Sequence, residues 1–368
     1  MNVMKQSLSG SQPRRLLIAA VLSLALAAAT AVVAQPAQAA SSGLGKITNF
    51  RIVSFKTNVP IGVVAASDGS VWYTTNVASG NPLPGGPRET IGRIDPTGSI
   101  VEANTPTFSS FPEKLTVGPD GAIWFTEPSA GQIGRAVFVG GQIQITEFRV
   151  TDGVTFGGGI FGIVTGSDGN LWMADGGISV IWRYNIAANT FTAFSLAGGS
   201  GPHDIAAGPD GNLWITDSFV NAAGRLVGGI ARMTTAGVVT HFDALGEPFS
   251  IVSGPGGALW FVEHFGGKRL GRITTAGAVS YPTLAPALPA SLPFELAADN
   301  THGKLYVTDF NAGLVTQVNV AGGVEPFPTA STKPRAGSQP RGITVDGAGD
   351  VWWAQSGTNT IAMLHLTF

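Results

Sequence analysis

From residue 60 onward, short apolar stretches alternate with glycine-rich polar turns, and one unit recurs along the chain. In Gly208-Pro-Asp-Gly-Asn-Leu-Trp-Ile-Thr-Asp217 a turn runs directly into a strand of alternating apolar residues that ends on a carboxylate. Variants are anchored on Trp72, Trp124, Trp172, Trp214, Trp260, Tyr306 and Trp352, spaced 42 to 52 residues apart. A pleated strand presents alternate side chains to one face, and a single sheet of this size cannot bury that face alone. Seven copies at this period therefore predict a ring of stacked sheets, the all-β seven-bladed propeller.

Each copy reads as four strands: an inner strand entered through a proline, the Trp-bearing strand, an Ile-Gly-Arg-Ile strand (Ile91 to Ile94, Leu270 to Ile273) and an outer strand of period two. Pro96-Thr-Gly98, Thr235-Ala-Gly237 and Thr275-Ala-Gly277 read as tight hairpin turns between the last two strands. The blades are placed at 60–103, 112–149, 160–197, 202–243, 248–283, 293–328 and 340–368. The last copy has room for only three strands, and Ile47 to Phe55 is an orphan strand that fits as its fourth. An N-terminal strand completing the last blade closes the ring and leaves no open interior edge.

The residues before this array read as an address. Arg14-Arg15 precede an apolar run from Leu16 to Ala34, and Ala37-Gln38-Ala39 supplies the small residues of a cleavage site. Residues 1–39 are read as a signal peptide removed on export, by the Sec or twin-arginine route, and 40–368 as one propeller domain in a secreted or periplasmic protein. An uncleaved anchor is the alternative, because the run is just long enough to span a bilayer.

Composition narrows the chemistry. The 368 residues include no Cys, which excludes disulfides, thiol catalysis and Cys-ligated zinc. A formal net charge of −2 with 12% charged residues gives no basic field for nucleic acid. The chain is read as a monomer that takes a small-molecule or peptide ligand at the channel mouth, with no membrane contact after cleavage.

Two positions recur once per blade. The first follows the entry proline and faces the channel: Ile61, Glu113, Phe161, His203, Phe249, Phe294 and Arg341. The second ends the Trp strand: Thr75, Glu127, Asp175, Asp217, Glu263, Asp309 and Gln355. Carboxylates at a repeated position serve the repeat, accepting backbone hydrogen bonds or pairing with Arg93, Arg135, Arg183, Arg232 and Arg272 of the next strand. Singular residues carry more information. His203 is the lone imidazole at its ring position and a candidate general base. Phe249, Phe294 and Arg341 are candidate ligand contacts. Glu247 and Glu263, at the two ends of one hairpin, could hold Mg²⁺ through oxygen ligands; two structural glutamates are the plain alternative.

Pro-His-x-Ile, Gly-Pro-Asp-Gly-x-Leu-Trp with its terminal acid, and Gly-Arg-Ile-Thr-Thr-x-Gly together resemble the virginiamycin B lyase (streptogramin lyase) family over all seven copies. The resemblance implies a seven-bladed propeller that opens cyclic streptogramin B antibiotics by Mg²⁺-dependent elimination across an ester. In one register His203 matches the family's first histidine, and Glu247 and Glu263 match its two metal-side glutamates. Phe249 then stands at the place of the base histidine. In the other register, on the last two blades, that place is held by Arg341. Two functions follow from this: an exported carbon–oxygen lyase acting on a cyclic depsipeptide ester, or a non-catalytic extracellular binding propeller for a peptide or glycan.

Overall fold

The structure, a computed structural model, describes residues 45–52, 58–77, 88–196, 200–221, 223–265, 268–284, 288, 292–320, 323–328 and 337–366. The signal-peptide reading of residues 1–39 lies outside them. Among the described residues there is no helix, and seven four-stranded antiparallel sheets form. Each is a meander in which consecutive strands pair, as in the fourth, Ile205–Ala207, Leu213–Val220, Leu226–Met233 and Val239–Asp243. In the seventh, Pro340–Val345, Val351–Gln355 and Thr360–His365 are joined by Lys46–Arg51, with Lys46 opposite His365 and Arg51 opposite Thr360.

Among the described residues the core consists of seven apolar clusters, each built from two adjoining blades. One joins Trp124 of blade two to Trp182 of blade three; another joins Tyr73 of blade one to Trp352 of blade seven. This is sheet-on-sheet packing repeated around a circle, with the inner strands converging on the axis. The convergence is close enough to dictate glycine. A Cβ on Gly62 would meet the Glu113 carbonyl oxygen, and one on Gly342 the Ile61 carbonyl oxygen, at 2.2 and 2.6 Å.

Three polar devices repeat with the blades. The Trp indole donates to the aspartate of its own turn at 3.0 Å in Trp124–Asp120, Trp172–Asp168 and Trp214–Asp210, tying turn to strand. A threonine hydroxyl near the end of the Trp strand donates to a carbonyl of the next blade: Thr74 to Glu113, Thr126 to Phe161, Thr216 to Phe249 and Thr308 to Arg341. These bonds stitch inner strands together at the ring position and give their carbonyls a hydrogen-bond partner.

The third device corrects the expected arginine pairing. Arg93, Arg135, Arg183, Arg232 and Arg272 stand directly opposite the blade tryptophans in the ladder. The guanidinium carbon of Arg135, Arg183, Arg232 and Arg272 lies 5.8–5.9 Å from the indole centroid. Arg93 and Arg135 pair with the turn aspartates Asp68 and Asp120 at 2.9 and 2.7 Å. The strand-end carboxylates are three residues further along, about 10 Å away at a strand's rise, and beyond reach. Asp175 and Asp217 bind backbone instead. Asp175 accepts the Gly158 and Gly177 N–H groups, and Asp217 that of Gly201.

Candidate functional site

Inner strands begin, and Trp strands end, at the same mouth of the channel, so the ring residues and strand-end residues lie together there. His203 is stacked between two phenylalanines, 5.2 Å from the Phe161 ring and 4.1 Å from the Phe249 ring. Phe249 continues to Phe294 at 5.1 Å and meets His264 edge-on at 4.4 Å. Phe294 in turn packs on Phe310, and the Arg341 guanidinium sits over both rings, 5.5 and 5.0 Å from their centroids. An aromatic arc thus lines the mouth from blade three to blade seven. The structure brings His203, Phe249, Phe294 and Arg341 together in that arc.

His203 Nδ1 lies 3.0 Å from the carbonyl oxygen of Phe249. A carbonyl oxygen only accepts, so Nδ1 carries the proton and Nε2 keeps its lone pair. Burial between aromatic walls lowers the His203 pKa, with Lys114 adding to that shift and Asp204 opposing it. Nε2 has no hydrogen-bond partner among the described residues. Burial lowers the His264 pKa to about 4, with the charges of His203 and Lys268 adding to the shift. Both imidazoles are neutral at pH 7.

One residue further along the inner strands, charge crosses the channel. Lys114 Nζ of blade two lies 3.0 Å from Glu295 Oε1 of blade six and 3.5 Å from Asp204 Oδ2 of blade four. Burial works against the Lys114 charge, but Asp204 and Glu295 outweigh it and raise its pKa. Glu113, beside this network, is pushed up to about 7 by burial despite Arg341, with Glu295 adding to the shift.

The family model described as the virginiamycin B lyase family matches residues 40–228 and again 143–367. The chain belongs to the virginiamycin B lyase family. No curated protein matches it significantly. Among solved structures, the Staphylococcus aureus virginiamycin B lyase is 27% identical, with 88% of this chain and 99% of that one covered and a TM-score of 0.72. A streptogramin B lyase structure is also 27% identical, over 88% and 98% of the two chains, with the same TM-score of 0.72. A catalytically inactive histidine-to-alanine variant of the S. aureus virginiamycin B lyase, solved with quinupristin, is 26% identical, over 88% of this chain and 99% of that one, with a TM-score of 0.72.

For this virginiamycin B lyase family member the expected Mg²⁺ ligands are differently placed. Glu263 is fully buried, and its Oε2 takes Arg269 Nε and Nη2, both at 2.9 Å. Its Oε1 accepts the Gly246 N–H and the Tyr281 hydroxyl. Glu247 is exposed, opposite Phe265 in the ladder. A carboxylate already neutralised by a guanidinium, with both oxygens bonded, does not fit a divalent ion. No group of three or more carboxylate or imidazole ligands gathers among the described residues.

The sequence reading missed Lys114, Asp204 and Glu295, and it missed Phe310 and Ser356 around Arg341. The first three had a signal. The residue after the ring position runs Gly62, Lys114, Gly162, Asp204, Ser250, Glu295 and Gly342, and charge among glycines marks side chains that fill an axis too narrow for seven. Phe310 and Ser356 follow strand-end residues in turns, where nothing in the repeat distinguishes them.

Proposed function

We propose that this chain is a carbon–oxygen lyase of the streptogramin type that uses His203 as its base. The observation that supports this most is the hydrogen bond from His203 Nδ1 to the Phe249 carbonyl, which leaves Nε2 unprotonated and unbonded at the mouth. Elimination across an ester needs one proton removed from the carbon α to a carbonyl. Nε2 takes that proton, its bonding electrons form the Cα=Cβ double bond, the Cβ–O bond breaks, and the ester carboxylate leaves. No water is consumed. The depressed pKa keeps the base form populated at neutral pH. In the S. aureus relative a histidine-to-alanine change accompanies loss of catalysis, in keeping with an imidazole at the centre of the reaction. An export signal would place the activity outside the cytoplasm.

The test is incubation of the purified protein with a streptogramin B, with and without Mg²⁺, followed by chromatography and fragmentation mass spectrometry. The expected product is linear and isomeric with the substrate, and it is absent with His203→Ala. Unchanged macrocycle, or a product heavier by one water, overturns the reading. A second reading, a peptide- or glycan-binding propeller without turnover, is favoured by Phe249 standing at the family's base position and by the commitment of Glu263 to Arg269. Saturable binding that survives His203→Ala, with no product, would establish it.

A further inference from the structure

Arg341 is built differently from the other cations of this protein. Its guanidinium lies against the Phe294 and Phe310 rings, 5.5 and 5.0 Å from their centroids. Nε donates to Ser356 Oγ at 3.3 Å, and that hydroxyl donates onward to the Gln339 carbonyl at 2.9 Å. Its own carbonyl is held by Thr308 Oγ at 2.9 Å. Plane and position are therefore fixed, yet Nη1 and Nη2 make no hydrogen bond to any described residue. Among the other arginines, Arg93, Arg135 and Arg269 pair with carboxylates and Arg88 and Arg232 with carbonyls.

We propose that Arg341 is the receptor for a carboxylate group of the ligand that occupies the channel mouth. A rigid guanidinium whose two terminal nitrogens have no hydrogen-bond partner among the described residues offers parallel donors that match two carboxylate oxygens. Burial lowers the Arg341 pKa while Glu113 and Glu295 hold it up, so this is a cation short of a hydrogen-bonded partner. Neither acid supplies that partner. Glu295 is engaged by Lys114 at 3.0 Å, and Glu113 makes no side-chain hydrogen bond within the described residues. A singly charged, planar anion suits the place better than a phosphate dianion, because two acids already lie beside it. Glu113, raised to about 7, can also be protonated there and donate to the incoming oxygen. This rests on the lyase reading only in placing a ligand at the mouth, and it adds a role to that reading. The carboxylate set free when the Cβ–O bond breaks is the anion Arg341 would hold, stabilising the leaving group as its charge develops.

The experiment compares N-acetylphenylalanine with its amide by calorimetric titration of the full-length protein at pH 6. The acid is expected to bind at least about tenfold more tightly than the amide. Arg341→Met should erase that preference, Arg341→Lys should restore only part of it, and His203→Ala should leave it intact. Ser356→Ala frees the fork without removing the charge and is expected to reduce the preference severalfold, which keeps a test in hand if Arg341→Met does not fold. Equal binding of acid and amide, a preference that persists in Arg341→Met, a preference unmoved by Ser356→Ala, or stronger competition by inorganic phosphate would each overturn the proposal. A preference for the acid without any elimination of a streptogramin would leave it standing and overturn the lyase reading instead.

Discussion

Lys114 and Glu295, on blades two and six, meet at 3.0 Å in the middle of the ring. A side chain of one blade can reach the opposite side only across the axis, so this ion pair, with Asp204 of blade four as its third member, is a strut through the channel. Asp204 Oδ2 also accepts the Ile251 N–H of blade five at 3.1 Å, which spreads the strut over four blades.

Removing the cation strands two carboxylates in that space. Lys114→Met is expected to lower stability by about 3 kcal/mol, since breaking one partner of a buried ionic group leaves uncompensated charge. Urea denaturation at pH 7 measures this, and Lys114→Met combined with Glu295→Gln should recover part of the loss. An unchanged midpoint in the single variant would show that the strut contributes nothing.

Architecture was far more legible in the sequence than the site. Blade number, strand order and the ring positions follow from a period set by Trp and Asp-Gly, because each blade must solve the same packing problem against its neighbour. The site depends on departures from that repeat, and a departure shows its residue but not its partner. Arg269 and Tyr281 decide what Glu263 can do, yet one comes from a loop and the other directly follows the short outer strand Val279–Ser280. The misassigned arginine partners have the same origin: the period locates Arg135 on its strand but not its register against Trp124.

Glu113 gives stability a pH dependence of definite sign. Its pKa in the folded protein is about 7 against an ordinary 4.5, so the folded state holds this proton more tightly than the unfolded chain does. Stability from this group is therefore lost as pH rises from about 4.5 through about 7. Glu113→Gln is expected to be more stable than the parent by about 1–3 kcal/mol at pH 8, the difference shrinking toward pH 4.5. Urea midpoints at the two ends of that range check it; a difference that grows on acidification contradicts it.

His203 should impose its own signature on catalysis. Burial lowers its pKa, so the neutral base persists below the ordinary histidine range. A kcat/KM profile for streptogramin opening is expected to stay flat through pH 6.5 and fall only at more acid pH. An acid limb at or above 6.5 would assign the base to another group.

Phe249 is the residue on which the two registers of the family pattern divide. Phe249→His restores an imidazole behind Glu247-Pro248 while leaving the backbone carbonyl that binds His203 in place. Turnover is expected to rise by about 10²-fold, the scale of an added general base, with a cost of about 1 kcal/mol for aromatic contacts to Phe294. Turnover at the parental level would place the reacting centre away from blade five.

Glu147 occupies on blade two the outer-strand place that His241 holds on blade four and Tyr281 on blade five. Those two donate to the strand-end carboxylates Asp217 and Glu263, and on blade seven Gln355 bonds Asn49 at 2.9 Å. Blade two instead sets carboxyl against carboxyl, Glu127 beside Glu147, and only a proton lets them share a bond. Burial pushes Glu127 up to about 7; Ser110 and Gln132 pull against the shift and Glu147 adds to it. Glu147 is meanwhile held by the Thr107 N–H and hydroxyl, and Glu127 Oε1 completes no hydrogen bond. Glu127→Gln reproduces the amide of blade seven, with an NH₂ to offer Glu147 and an oxygen to accept from Gln132. The folded parent binds the extra proton and loses stability as pH rises from about 4.5 to about 7, whereas the variant has no proton to lose. It is expected to exceed the parent by about 1–2 kcal/mol at pH 8 and to match it near pH 5. Thermal and urea unfolding at both pH values would reveal this divergence, and a variant weaker than the parent at pH 8 would mean that the pair stays ionised and is held apart by groups other than a shared proton.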